Sequence, residues 1–247
     1  MPPLCGSPCY PACSSTRWQV QTTMGDPARL VIHGEALAWL AANPAEPGTS
    51  VMTSLPDVSE VGLGIEEWRT WFVDAARRVI LWVPEGGVAV FYQSDIRHRG
   101  AWIDKGYLVT LAAEDLGASM VWHKIVCRRP PGTIAHGRAS YSHMLCFSRL
   151  SLLSGKPRQS PRHPGPDVFE AGFMPSVRSM GVDACRVACR FLRDETTTRR
   201  VVDPFCGIGT ALAVANAFGF EAVGVDLSAR RCRAARKLTL EAAPARY

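Results

Sequence analysis

The segment VVDPFCGIGTALAVA, residues 201–215, constrains this 247-residue chain more than any other. An apolar strand ends at Asp203, a turn with Gly207 and Gly209 follows, and a helical run starts behind it. Glycine frees such a turn of a Cβ, so backbone can come close to a ligand. The amides at the helix start then face that ligand. The third glycine of a dinucleotide fingerprint is missing, because Leu212 stands in its place. Nineteen residues past Gly207 the next strand, EAVGVD, ends at Asp226, where a carboxylate is placed to accept hydrogen bonds from ribose hydroxyls. These strand ends suit a nucleoside and do not demand a pyrophosphate. A glycine turn also serves plain helix–strand packing, and on the glycines alone both readings stand.

The rest of the chain repeats the alternation. RLVIH precedes the helical EALAWLAAN, and SVMTSL precedes IEEWRTWFVDAARRVILWV, with Trp68, Trp71, Phe72, Ala75 and Val79 at helical spacing. VAVFYQ, MVWHKIV, MLCFSRL and RRVVD read as further strands, and KGYLVTLAAEDLG, MGVDACRVACRFL and SARRCRAARKLTLEA as further helices. Alternating elements predict an α/β fold with a mostly parallel sheet covered on both faces. With 47% apolar and 20% charged residues the chain buries a sizeable core, which excludes wholesale disorder. No apolar run reaches the roughly 18 residues of a membrane span. Residues 1–27, rich in Pro, Ser and Thr, read as a flexible leader, and residues 28–247 as one domain with a basic loop at about 150–178. The nine cysteines are odd in number and follow no secretory signal, which points to a reducing intracellular compartment, cytoplasmic or nuclear, with organelle import left open. Cys5, Cys9 and Cys13 lack the second ligand pair that zinc prefers, so no metal is expected. Cys185 and Cys189, one helical turn apart among apolar residues, read as packing thiols.

Asp203-Pro204-Phe205-Cys206-Gly207-Ile208-Gly209-Thr210, followed by Gly224-Val225-Asp226-Leu227-Ser228, resembles the S-adenosylmethionine site of the class I amino-methyltransferases. That resemblance implies a Rossmann-like methyltransferase fold with a seven-stranded sheet, and S-adenosyl-L-methionine as methyl donor. It places Asp203, Gly207 and Gly209 around the methionine moiety and Asp226 on the ribose, with Phe205, Thr210 and Leu227 in the same motifs. VIHGEALAWL is similar to the family's third segment, which makes Glu35 the acid that approaches adenine. Ser54-Leu55-Pro56-Asp57 stands nearest to the family's (D/N/S)-P-P-(Y/F/W) tetrapeptide. WHKIVCRRPPG…YSHMLCFSR is similar to its W-x-K…P…H-x-x-x-x-F-S-K region. With the glycine loop last, the order is circularly permuted, as in the β group of DNA amino-methyltransferases. The resemblance spans about residues 29–238.

Two departures bear on the substrate. Leu55 and Asp57 replace a proline and the aromatic that, in the family, stacks on a flipped base. Residues 150–178 are also short for a region that reads a DNA sequence, which favours RNA slightly over DNA. The S-L-P-D string further resembles the N-L-P motif of tRNA guanine-N1 methyltransferases, although those are not permuted.

Methyl transfer from a sulfonium is an in-line displacement, so positioning the acceptor supplies most of the catalysis. Ser54 Oγ and the Leu55 carbonyl are the proposed acceptors for the N–H groups of a base amine, with Pro56 aiming that carbonyl outward. Asp57 is a candidate to accept from two adjacent N–H groups, as on a guanine edge; an ordinary strand-ending turn is the alternative. Trp68, Trp71 and Trp82 read as core, while Trp122 and Tyr141 are candidates for the missing stacking surface. His123, His136 and His143 have no metal-ligand spacing. Residues 93–99 follow a strand end and are either a substrate-contacting or a surface loop.

Residues 116–166 carry eight basic residues and no acid, leaving 20 Lys+Arg against 22 acids elsewhere. Such a strip neutralises phosphates without reading sequence, and Lys124, Arg128, Arg129, Arg138 and Arg158 are its candidate contacts. The expectation is a methyltransferase acting on a nucleic-acid base, with a homodimer or a separate recognition subunit left open. A protein or small-molecule methyltransferase, and a non-catalytic nucleic-acid-binding module, remain as alternatives.

Overall fold

The computed structural model describes residues 28–149 and 165–240. Its elements are β1 (Arg29–His33), α1 (Ala36–Ala42), β2 (Thr49–Thr53), α2 (Val58–Val61), α3 (Ile65–Trp82), β3 (Ala89–Gln93), β4 (Ile96–His98), β5 (Ala101–Ile103), α4 (Lys105–Glu114), β6 (Ser119–Cys127), β7 (Tyr141–Ser148), β8 (Val168–Glu170), α5 (Val182–Glu195), β9 (Arg200–Asp203), α6 (Thr210–Ala217), β10 (Glu221–Asp226) and α7 (Ala229–Lys237). The leader, Cys5, Cys9, Cys13, Arg158 and most of the basic loop lie outside the described residues.

The main sheet has the order β1-β10-β9-β2-β3-β7-β6-β8. Neighbouring pairs run parallel from β1 to β3. β7 alone is reversed, antiparallel to both β3 and β6. Every residue of β2 and β3 is buried, as a strand covered on both faces requires. α1, α3 and α4 pack on one face around Trp68, Phe72 and Val109. The other face holds α5, α6 and α7 around Cys189, Leu212 and Cys232. Cys185 and Cys189 are buried thiols of α5.

The sheet has eight strands where seven were expected. The extra strand, β8, pairs parallel with the end of β6 through Val168, Phe169 and Glu170. Three residues are too few to show a period, and Gly- and Pro-rich sequence precedes them. Part of the 93–99 loop likewise forms a separate hairpin, β4–β5, turned by Arg99 and Gly100, both at positive φ. No helix among the described residues is long and apolar enough to cross a membrane.

β9 and β2 lie side by side, Thr49 beside Arg200 and Val51 beside Val202. The helix after β9 packs on one face of the sheet and the helices after β2 on the other. The two connections therefore diverge and leave a crevice at the carboxyl ends of the strands, where open α/β sheets bind ligands.

Candidate functional site

A cleft of about 1200 Å³ opens at that crevice. One wall is the glycine loop. Asp203 ends β9, is 1% exposed, and accepts from Thr53 Oγ1 at 2.6 Å and from the Phe205 amide at 3.1 Å. Burial raises its pKa to about 7, against the two hydrogen bonds, which favour the charged form. Asp226 ends β10 and accepts from the Gly207 amide at 3.1 Å and the Ser228 amide at 2.7 Å. Its carboxylate thus links the glycine loop to the start of α7. Thr210 Oγ1, at the first residue of α6, is buried in the same wall without a hydrogen-bond partner.

The two glycines of the loop serve different ends. Gly207 (φ +54°) stands at the cleft with open space where a Cβ would be. Gly209 (φ +83°) faces away from the cleft; a Cβ there would meet Ala235 Cβ of α7 at 2.8 Å. Gly209 is needed for the turn and for helix packing, and it is absent from the lining that was expected of it. Phe205 and Leu227 line the cleft, the latter well exposed. Glu35 lines it too, but its two oxygens accept from the Leu37 amide at 3.0 Å and the Ala38 amide at 2.6 Å, capping α1.

The opposite wall is Ser54–Asp57, directly after β2. The Leu55 side chain is buried in the α3 core, which fixes the backbone at that point. Trp68 Nε1 donates to the Pro56 carbonyl at 3.2 Å. The ammonium of Lys105, from the start of α4, donates to Asp57 Oδ1 at 2.5 Å and to the Leu55 carbonyl at 3.5 Å. This corrects the expectation for Asp57: one carboxylate oxygen already holds a cation, so the two oxygens are not both open to paired N–H groups. Lys105 was missed in the sequence. The available signal was a lysine at the first position of a helix, where the dipole disfavours a cation unless an anion holds it.

Of the two candidate stacking residues neither faces the cleft. Trp122 is 4% exposed and packs edge-on against Phe191, with ring centroids 5.4 Å apart; its place on β6 turns it into the core. Tyr141 donates to Asp95 Oδ2 at 3.1 Å. Asp95 also accepts from the Lys105 amide at 2.9 Å and from His143 Nε2 at 3.2 Å, and His143 Nδ1 meets His123 Nε2 at 3.1 Å. Burial is the largest single influence and opposes the charge on both Asp95 and His143, but their mutual hydrogen bond and attraction, with the Lys105 amide and Tyr141 on Asp95 and the Asp104 charge near His143, together outweigh it. The Asp95 pKa is lowered and that of His143 raised. The aromatics that line the cleft are instead Tyr92, Phe205 and Trp71, the last edge-on to Phe205 with centroids 6.2 Å apart. Trp71 was read as core because a half-buried face of α3 keeps the same period.

Lys124 is a second correction. It is fully buried on β6, donating to the carbonyls of Gly165 and Pro166 at 3.3 and 3.0 Å, and burial lowers its pKa to about 8. It ties down backbone at the end of the basic strip and does not meet solvent phosphates. Arg128 is half-buried against Ser94 Oγ and the Val177 carbonyl. Arg128 and Arg138 line the cleft, whereas Arg129 lies beside a second hollow of about 520 Å³. Arg178 and Arg231 also line the cleft and converge on Glu60 of α2, at 3.4 and 3.2 Å. No part of the basic strip pointed to them.

No protein-family model matches the sequence, and no curated protein matches it either. Solved structures do. TTHA0409, a putative DNA modification methylase from Thermus thermophilus, was solved with S-adenosyl-L-methionine. It is similar at 20% identity and a TM-score of 0.63, over 85% of this chain and 93% of its own. The cytosine-N4-specific PvuII DNA methyltransferase is similar at 15% identity and a TM-score of 0.66, over 87% and 89%. The M1.HpyAVI–SAM complex follows at 14% identity and a TM-score of 0.55, over 85% and 98%. At these identities the likeness establishes the fold: the chain has the Rossmann-like α/β architecture of these methyltransferase structures.

Proposed function

We propose that the protein is an S-adenosylmethionine-dependent methyltransferase acting on an exocyclic amine of a nucleic-acid base, with DNA as the first substrate class. One observation carries this reading. The β2–β9 pairing brings Ser54–Asp57 and the Gly207–Thr210 loop, about 150 residues apart in sequence, into one cleft. Thr53 Oγ1 joins the two walls through Asp203 at 2.6 Å.

The donor wall fits the nucleoside sulfonium. A buried carboxylate with a pKa of about 7 suits a cationic ammonium, and Asp226, on its amide pair, suits ribose hydroxyls. The unpartnered Thr210 hydroxyl is a further polar contact awaiting a ligand. The bound donor supplies an electrophilic methyl group. The chain's own part is to hold the amine: Ser54 Oγ and the Leu55 carbonyl accept its N–H groups and localise its lone pair on nitrogen. Asp203 stays away from this step: it belongs to the donor wall, where its Oδ1 accepts from Thr53 Oγ1 and the Phe205 amide.

The preference for RNA rested on a short recognition region. TTHA0409 is of similar length and is described as a putative DNA modification methylase, so shortness gives RNA no advantage. The test is incubation with labelled donor and separate single-stranded DNA, duplex DNA and RNA pools, followed by nucleoside analysis. The expected product is an N-methylated base in a DNA digest. Calorimetry showing no binding of S-adenosylmethionine overturns the enzyme reading, and label confined to RNA overturns the choice of DNA.

A further inference from the structure

Lys105 is 2% exposed, and the fold does not need it. Asp104 caps α4 by accepting from the Tyr107 amide at 2.8 Å, and an apolar side chain would pack as well against Phe72, whose ring centroid lies 5.4 Å from Nζ. Ion pairs of this kind are poor stabilisers, because desolvation offsets their attraction. The pair nevertheless stands on the cleft wall, beside the carbonyl that the proposed reaction uses. Asp57 remains two-fifths exposed while it holds Lys105.

We infer that Asp57 and Lys105 together determine specificity by reading the edge of the acceptor base. The carboxylate accepts one N–H and the ammonium donates to the lone pair next to it. The inference rests on the proposed function and names its substrate class: a heterocycle presenting an N–H beside an in-plane acceptor. With both amine N–H groups on Ser54 and Leu55, guanine keeps a further N–H, at ring N1, beside its carbonyl oxygen, whereas adenine and cytosine present only a ring-nitrogen acceptor there. A carboxylate alone reads two donors, as first expected of Asp57; with Lys105 at 2.5 Å the pattern becomes one acceptor and one donor. The two groups are spaced like neighbouring polar atoms on a base edge, and the Leu55 oxygen has a second lone pair for the amine. No aromatic is needed in the tetrapeptide when the base is held by its edge.

The experiment measures kcat and KM for methyl transfer to single-stranded oligothymidylates carrying adenine, cytosine or guanine, with wild type, Lys105→Met and Asp57→Asn. Both variants are expected to lower kcat/KM for the preferred base about tenfold to a hundredfold, mainly through KM. They are also expected to flatten the preference among the three bases. Donor affinity by calorimetry stays as in wild type. If both variants keep the wild-type preference, or lower all three bases alike together with donor affinity, the pair is structural and the inference falls. Asp57→Asn, being partly exposed, decides the question should Lys105→Met not fold. A wild type that methylates none of the oligonucleotides removes the inference and the proposed function together, whereas unaltered preference removes the inference alone.

Discussion

The two walls of the cleft are built from different materials. The wall proposed to hold the donor, residues 203–228, is local: backbone amides of Phe205, Gly207 and Ser228 hold two carboxylates within 26 residues of chain. The acceptor wall depends on side chains far apart in sequence, Lys105 reaching back 48 residues to Asp57 and Arg231 reaching 171 residues to Glu60. Only proline removes a backbone amide, so a donor wall of this kind tolerates drift in most of its side chains. The acceptor wall changes with any one of its ions. A chain built this way can keep its donor while its acceptor is retuned.

The comparison breaks first at Asp203, one of the two carboxylates the donor wall is built around. Asp203→Ala is expected to weaken donor binding about a hundredfold, the size of a lost charge-assisted contact to a buried group, as read by calorimetry. A pH titration sharpens the point. The folded pKa of about 7 lies above the ordinary 3.8. The ionised form suits a cationic ligand, so affinity falls about tenfold per pH unit below 7 and binding releases a proton near neutrality. Stability runs the other way. A raised carboxyl pKa favours the folded state fully at low pH, and that contribution is lost as pH rises through 7. Asp203→Asn is therefore expected to raise the melting temperature at pH 8 and leave it nearly unchanged at pH 4. Thr53→Val, which removes a donor to the carboxylate, moves the affinity profile to higher pH.

The same contrast explains what was legible. The donor wall follows from the spacing of Asp203, Gly207, Gly209 and Asp226, because each group is placed by the strand or turn it belongs to. The mostly parallel sheet followed from the alternation of strands and helices, but β8 did not, since three residues carry no period. Lys105, Glu60, Arg178 and Arg231 acquire meaning only from packing between elements, and nothing near them in sequence names their partners. Lys124 misled for the same reason: a cation in a basic strip looks solvated until β6 turns it inward onto the Gly165 and Pro166 carbonyls.

Smaller effects separate the glycines. Gly207→Ala meets only the strain of φ +54° with open space around it, a cost of about 1 kcal/mol. Gly209→Ala adds a 2.8 Å approach to Ala235 and is expected to cost about 2–3 kcal/mol by denaturant unfolding. Equal costs would mean that α7 gives way freely, and the donor wall would then be less rigid than its amide network implies.

The smallest effect falls where the walls meet. Glu60 of α2 holds Arg231 of α7 at 3.2 Å and Arg178 at 3.4 Å through Oε1, and accepts from the Asp57 amide at 3.2 Å through Oε2. Both arginines are well exposed, so solvent screens the bridge and its worth is about 0.5 kcal/mol. Glu60→Gln keeps an acceptor for the Asp57 amide but removes the charge. The expected drop in melting temperature is about 1–2 °C, vanishing near 1 M salt, where screening reaches a few ångströms. A drop that persists in salt assigns the role of Glu60 to the Asp57 amide, and the walls are then joined by Thr53–Asp203 with no ionic tie between α2 and α7.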